Sequence, residues 1–132
     1  LQEIGLCQIE EEKEELVMNF LLEEVDDIAV LRLKEPRLDS MIAPDLKAQV
    51  LVLLSNTNRT KIIVDLSQVT YADSSGLGAL LFGLRQSREN GIAFLLFGAQ
   101  KRVLTLLQIA HLRDVLVNYA SEEEAINAIQ QQ

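Results

Sequence analysis

The chain has 132 residues, 48% of them hydrophobic, with a formal net charge of −8, one cysteine and one histidine. That is enough apolar material for one domain with its own core, and it argues against disorder. The acidic balance argues against nucleic acid and against an anionic membrane bound by charge alone, leaves room for a basic protein partner, and Cys7 by itself excludes an internal disulfide or a cysteine-based metal cluster.

Residues 1–17 end in QIEEEKEELV, a charged, helix-prone stretch. It reads either as a tail, tag remnant or linker, or as an extra helix packed on the domain or a partner. The N-terminus is acidic where a signal peptide carries a basic region, and no apolar run reaches the roughly 18–20 residues of a transmembrane helix. A cytoplasmic protein without direct membrane insertion is therefore expected. The patterned domain is expected over residues 18–132, and Met18 is a candidate native start.

MNFLLEEVDDIAVLRL (18–33) holds two short apolar runs around Val25-Asp26-Asp27, the punctuation of a hairpin. Pro36 breaks the second strand. Pro44 suits a first helical turn, and Leu46, Val50, Leu53 and Leu54 repeat at helical spacing. Asn56-Thr57-Asn58 is expected to end that helix. KIIVDL (61–66) is a β-branched run and reads as a buried strand. Over 74–90, Leu77, Leu80, Leu81 and Leu84 form one apolar stripe, and Asn90-Gly91 supplies the stop.

IAFLLFG (92–98) reads as another buried strand, QKRVLTLLQIAHL (100–112) as a short helix and DVLVNYA (114–120) as a strand. SEEEAINAIQQ is a last helix with an S-x-x-E capping box at Ser121 and Glu124. Strands alternating with helices predict an α/β domain with a largely parallel sheet and right-handed crossovers.

YADSSGLGAL (71–80) places Asp73, Ser74, Ser75 and two glycines where a strand gives way to an apolar helix. It lacks the G-x-S-x-G of a nucleophile elbow. It also lacks the Lys of a phosphate-binding loop and the third glycine of a dinucleotide fingerprint. His111, the one histidine, falls in an apolar helical pattern that suits a packed or surface residue better than a general base. The acidic runs at 10–12 and 122–124 are not spaced as a calcium loop. The expectation is a protein that is not an enzyme. Two readings of the turn remain. Asp73 caps the helix, with Gly76 and Gly78 admitting a close neighbour. Alternatively, the positive end of the helix receives a phosphate on Ser74 without melting, and the surface changes character.

IIVDLSQVTYADSSGLGALL (62–81) closely resembles the signature of STAS domains, named for sulphate transporters and anti-sigma factor antagonists. RLDS followed by APDL (37–46), RVLTLLQIAHL (102–112) and SEEEAI (121–126) resemble further family segments, and the likeness spans about 18–130. It implies a STAS-type fold, a mixed and mostly parallel sheet of about four or five strands with about four helices mainly on one side. It implies a binding module without catalytic residues, metal or cofactor. In the anti-sigma antagonists the serine after the Asp is the phosphoacceptor, here Ser74. An anti-sigma factor with serine kinase activity phosphorylates it, and a PP2C-type metal-dependent phosphatase reverses this. The unmodified form binds the anti-sigma factor and frees the sigma factor.

By the same resemblance, Asp73, Ser75, Gly76 and the exposed side of helix 74–90 would touch that partner, and Asp39 would line the same face. There are departures. Pro36 stands where the family usually has glycine. Phe82 falls off the apolar stripe, as a partner anchor or as cover for a gap beneath the extension. Residues 1–17 are not part of the usual domain. The alternative of another class is an unphosphorylated STAS subunit or cytoplasmic domain of a lipid or anion transport system.

Overall fold

The computed structural model describes residues 18–55 and 61–131. The readings of residues 1–17 and of Asn56-Thr57-Asn58 as a helix stop lie outside the described residues. The elements in chain order are β1 (Phe20–Val25), β2 (Ile28–Leu33), β3 (Arg37–Leu38), α1 (Ala43–Leu54), β4 (Lys61–Asp65) and β5 (Tyr71–Ala72). They continue with α2 (Ser74–Glu89), β6 (Ala93–Phe97), α3 (Lys101–Ile109), β7 (Asn118–Tyr119) and α4 (Glu122–Gln130).

Asp26, at φ 57°, turns the β1–β2 hairpin, a conformation Asp tolerates better than most residues. The main sheet runs β1-β2-β4-β6-β7, with β1 antiparallel to β2 and every other pair parallel. Its register stacks Leu31, Val64 and Leu96 in one row and Val30, Ile63 and Leu95 in the next. Side chains alternate between faces along a strand. The first row therefore joins Leu46, Val50, Leu80, Leu84, Val103 and Leu107 of α1, α2 and α3. The second row meets Ala125 and Ile129 of α4 on the opposite face. Burial on both faces is why these strands read as continuous apolar runs. Each fully buried Leu, Ile or Val contributes about 1.5–3 kcal/mol.

Arg32 closes the α4 side of the sheet. It donates to Glu23 at 2.6 Å, to Asp65 at 3.1 Å and to Glu122 at 3.0 Å. Burial alone would lower its pKa, but the hydrogen bonds to the three carboxylates outweigh burial and hold it above the usual arginine range.

Two expected elements are shorter than their apolar runs. The strand expected over 114–120 is reduced to Asn118–Tyr119, because Leu116 turns into the core with its N–H donating to the Leu112 carbonyl at 2.8 Å. The helix expected over 100–112 ends at Ile109. His111 follows it in the left-handed region, at φ 59°, with an exposed side chain.

Candidate functional site: two facing turns

β3 and β5 form a second, two-stranded parallel sheet in which Arg37 pairs with Tyr71 and Leu38 with Ala72. The next residue on each strand is an aspartate, so the pairing brings Asp39 and Asp73 to the same end of this sheet, Asp39 in the turn that leads to α1 and Asp73 directly before α2. Pro36, which has no N–H to give, contributes its carbonyl. It accepts from the Thr70 and Tyr71 N–H groups at 2.8 and 3.1 Å and from the Thr70 hydroxyl at 3.0 Å. The strand exit at Pro36 is thereby fixed to the strand that leads into α2.

Asp73 is the N-cap of α2. Its backbone is extended, and its carboxylate accepts from the Gly76 N–H at 3.1 Å. Its own N–H donates to the Leu38 carbonyl at 3.3 Å. Ser74 and Ser75 take the first two helical positions and are exposed. The start of α2 carries the positive end of the helix dipole, which favours an anion on Ser74, while the Asp73 carboxylate beside it already meets part of that charge and repels a second anion.

Asp39 works by a different bonding pattern. Its carboxylate accepts from the Arg37 Nε at 3.1 Å and the Met41 N–H at 3.0 Å, while its carbonyl accepts from Ile42 and Ala43. Ile42, the residue just before α1, has no side-chain cap to offer. The hydrogen bond from Arg37, helped by the Met41 and Ile42 N–H groups, holds the Asp39 carboxyl below the ordinary carboxylate range.

The two glycines differ. A Cβ on Gly76 would sit 2.1 Å from the Leu38 carbonyl oxygen. Gly76 is buried, and its lack of a Cβ is what lets the start of α2 approach Leu38 so closely. A Cβ on Gly78 would meet nothing within 4 Å. The close packing expected at Gly78 is absent; this residue is exposed four positions after Ser74, on the same helical face, where it keeps the surface flat. Phe82 is half-buried, and the Lys47 ammonium from α1 lies 5.7 Å from its ring centroid. Sequence reasoning also missed Tyr71. Its ring lies 4.3 Å from the Arg37 guanidinium and 5.6 Å from that of Arg102. No local pattern links residues 37, 71 and 102; only the β3–β5 pairing and the return of α3 do.

Among the described residues, no group of His, Cys, Asp and Glu is arranged to hold a metal, and no helix is long and apolar enough to cross a membrane.

Comparison with known proteins agrees with this fold. The STAS domain family matches residues 19–125. The anti-sigma-B factor antagonist of Staphylococcus aureus is 32% identical over 88 residues, 66% of this chain and 81% of its own. The anti-sigma factor antagonist SpoIIAA in its unphosphorylated form superposes with a TM-score of 0.72 at 25% identity, covering 86% of this chain and 98% of its own. Part of the murine anion transporter Slc26a9 superposes with a TM-score of 0.75 at 12% identity, over 97% of this chain and 25% of that one, a likeness of fold alone. The chain belongs to the STAS domain family, with anti-sigma factor antagonists among its relatives, and so to a group of binding regulators, not enzymes.

Proposed function

We propose that the chain is an anti-sigma factor antagonist whose docking face is switched by phosphorylation of Ser74. The observation that carries this reading is the exposed Ser74 hydroxyl at the first position of α2, directly after the capping Asp73 and beside the Asp39 turn. Unmodified, the face formed by Asp39, Asp73, Ser75, Gly78 and the outer side of α2 binds an anti-sigma factor that is also a serine kinase. Gly76 supports that face from within, and Phe82 borders it. A phosphate adds about −1.5 to −2 charges at neutral pH. The helix start accommodates it, so the fold persists. A partner carboxylate or apolar group packed on the same spot is expelled, because like charges juxtaposed at an interface cost several kcal/mol. A PP2C-type phosphatase restores the docking state. Of the relatives, SpoIIAA is also known in a phosphorylated form, which matches this chain with a TM-score of 0.65 at 25% identity.

The test is incubation with the cognate anti-sigma kinase, followed by intact mass, peptide mapping and a binding assay. One phosphate is expected, on Ser74. Ser74→Ala should fold and keep binding the kinase. Ser74→Asp should fold and lose about 100-fold in affinity, which is about 3 kcal/mol. Phosphate found only outside 71–80 would refute the switch.

A further inference from the structure

β5 and α3 enclose a surface groove of about 460 Å³ lined by Tyr71, Ala72, Lys101, Arg102, Thr105, Leu106 and Ile109. Its lining is largely apolar: the Tyr71 ring, the half-buried Leu106 and Ile109, which is 68% exposed. Its rim is cationic, although the chain as a whole carries −8. Arg37 and Arg102 flank the Tyr71 ring, and Lys101 stands at the first position of α3. Arg37 already serves Asp39, but neither Lys101 nor Arg102 has an ion-pair partner among the described residues. The start of α3 adds the positive end of a helix dipole, with no side-chain cap from Gln100 to offset it. The groove also runs directly into the switch: Ser74 follows the groove-lining Ala72 by two residues, at most about 7 Å of chain.

We infer that this groove binds an acidic segment of the partner protein that carries a large aliphatic side chain. The carboxylates pair with Lys101 and Arg102, and the aliphatic group fills the space between Tyr71 and Ile109. This rests on the docking reading above and extends it. A phosphate on Ser74 brings negative charge to the rim of the groove, so it opposes the same carboxylates that the rim attracts. The groove thereby gives the switch a physical target besides the α2 face.

The probe is a blocked peptide with one Leu flanked by Glu on both sides, titrated to millimolar concentration into the isotope-labelled full chain. Saturable amide shifts are expected at Tyr71, Ala72, Thr105, Leu106 and Ile109. Lys101→Glu with Arg102→Glu should weaken binding about tenfold or more, as should Ile109→Asp, and Ser74→Asp should weaken it severalfold. The inference is overturned by the absence of saturable shifts, by shifts confined to another surface, or by equal binding of a peptide with Lys in place of Glu. It is overturned equally if single-stranded oligothymidylate shifts the same amides as strongly, which would make the rim a phosphate-backbone site, or if Ser74→Asp binds the peptide unchanged. The two readings fail separately. Absence of kinase-dependent phosphate on Ser74 removes the switch but leaves peptide binding to the unmodified groove intact.

Discussion

Gly76 and Gly78 lie two residues apart on α2, yet alanine at the two positions should act in opposite directions. A methyl at Gly76 would stand 2.1 Å from the Leu38 oxygen, 2.7 Å from Leu38 Cγ and 2.8 Å from the Leu38 carbonyl carbon. Backbone cannot rotate away as a flexible side chain can. Leu38 is also held by its pairing with Ala72, by the Asp73 N–H and by a side chain only 1% exposed. Relieving the clash requires β3 and α2 to move apart. The Asp73–Leu38 hydrogen bond is then lost, at about 1 kcal/mol, and overpacking adds about 1–3 kcal/mol. The better helix propensity of alanine returns about 1 kcal/mol. Gly76→Ala should therefore destabilise by about 1–3 kcal/mol, whereas Gly78→Ala, with open space around it, should stabilise by up to about 1 kcal/mol. Urea unfolding at 25 °C followed by circular dichroism measures both. Equal stability of the two variants would refute the claim that Gly76 is the contact between the two turns.

Three further outcomes follow from the packing. Ser87 Oγ is buried without a hydrogen-bond partner, so Ser87→Ala should stabilise by about 1 kcal/mol; a loss of stability on chemical denaturation would mean the hydroxyl is paired. Arg32→Met leaves Asp65, which is 7% exposed, without its cation, and should cost about 2 kcal/mol, less than a fully buried pair because Glu23 and Glu122 keep solvent contact. Adding Asp65→Asn should recover part of that loss in the double variant, and an additive loss would refute the coupling. The depressed Asp39 pKa contributes stability that is present above the unfolded-state carboxyl pKa and is lost as pH falls through the folded value. The Asp39 carboxyl resonance should accordingly titrate below an ordinary aspartate, and Arg37→Ala should move it back up.

Signals that repeat within a few residues were legible in the sequence. The Leu77–Leu80–Leu84 stripe, the β-branched run 61–65 and the apolar run 93–97, the caps at Asp73 and Ser121, and the stop at Gly91, which has φ 70°, all appear in the fold. The family and the place of Ser74 directly after the cap were legible too, because the D-S-S-G-L-G turn is contiguous. Runs whose ends are set by tertiary contacts were less legible: residues 114–117 look like a strand, but Leu116 is pulled into the core instead.

The sequence by itself determined which segments alternate as strand and helix, and that Ser74 would follow a capping aspartate. These follow from side-chain periodicity and from the free donors of a helix start, both local properties. Only the tertiary structure decided that Asp39 and Asp73 come to the same end of the small sheet, that Gly76 is a contact while Gly78 is open surface, and that Tyr71 lies between Arg37 and Arg102. Each depends on two- or three-residue pairings across more than 30 positions. Such short pairings carry no periodic pattern. They form because the larger sheet and its helices bring β3, β5 and α3 to the same end of the domain.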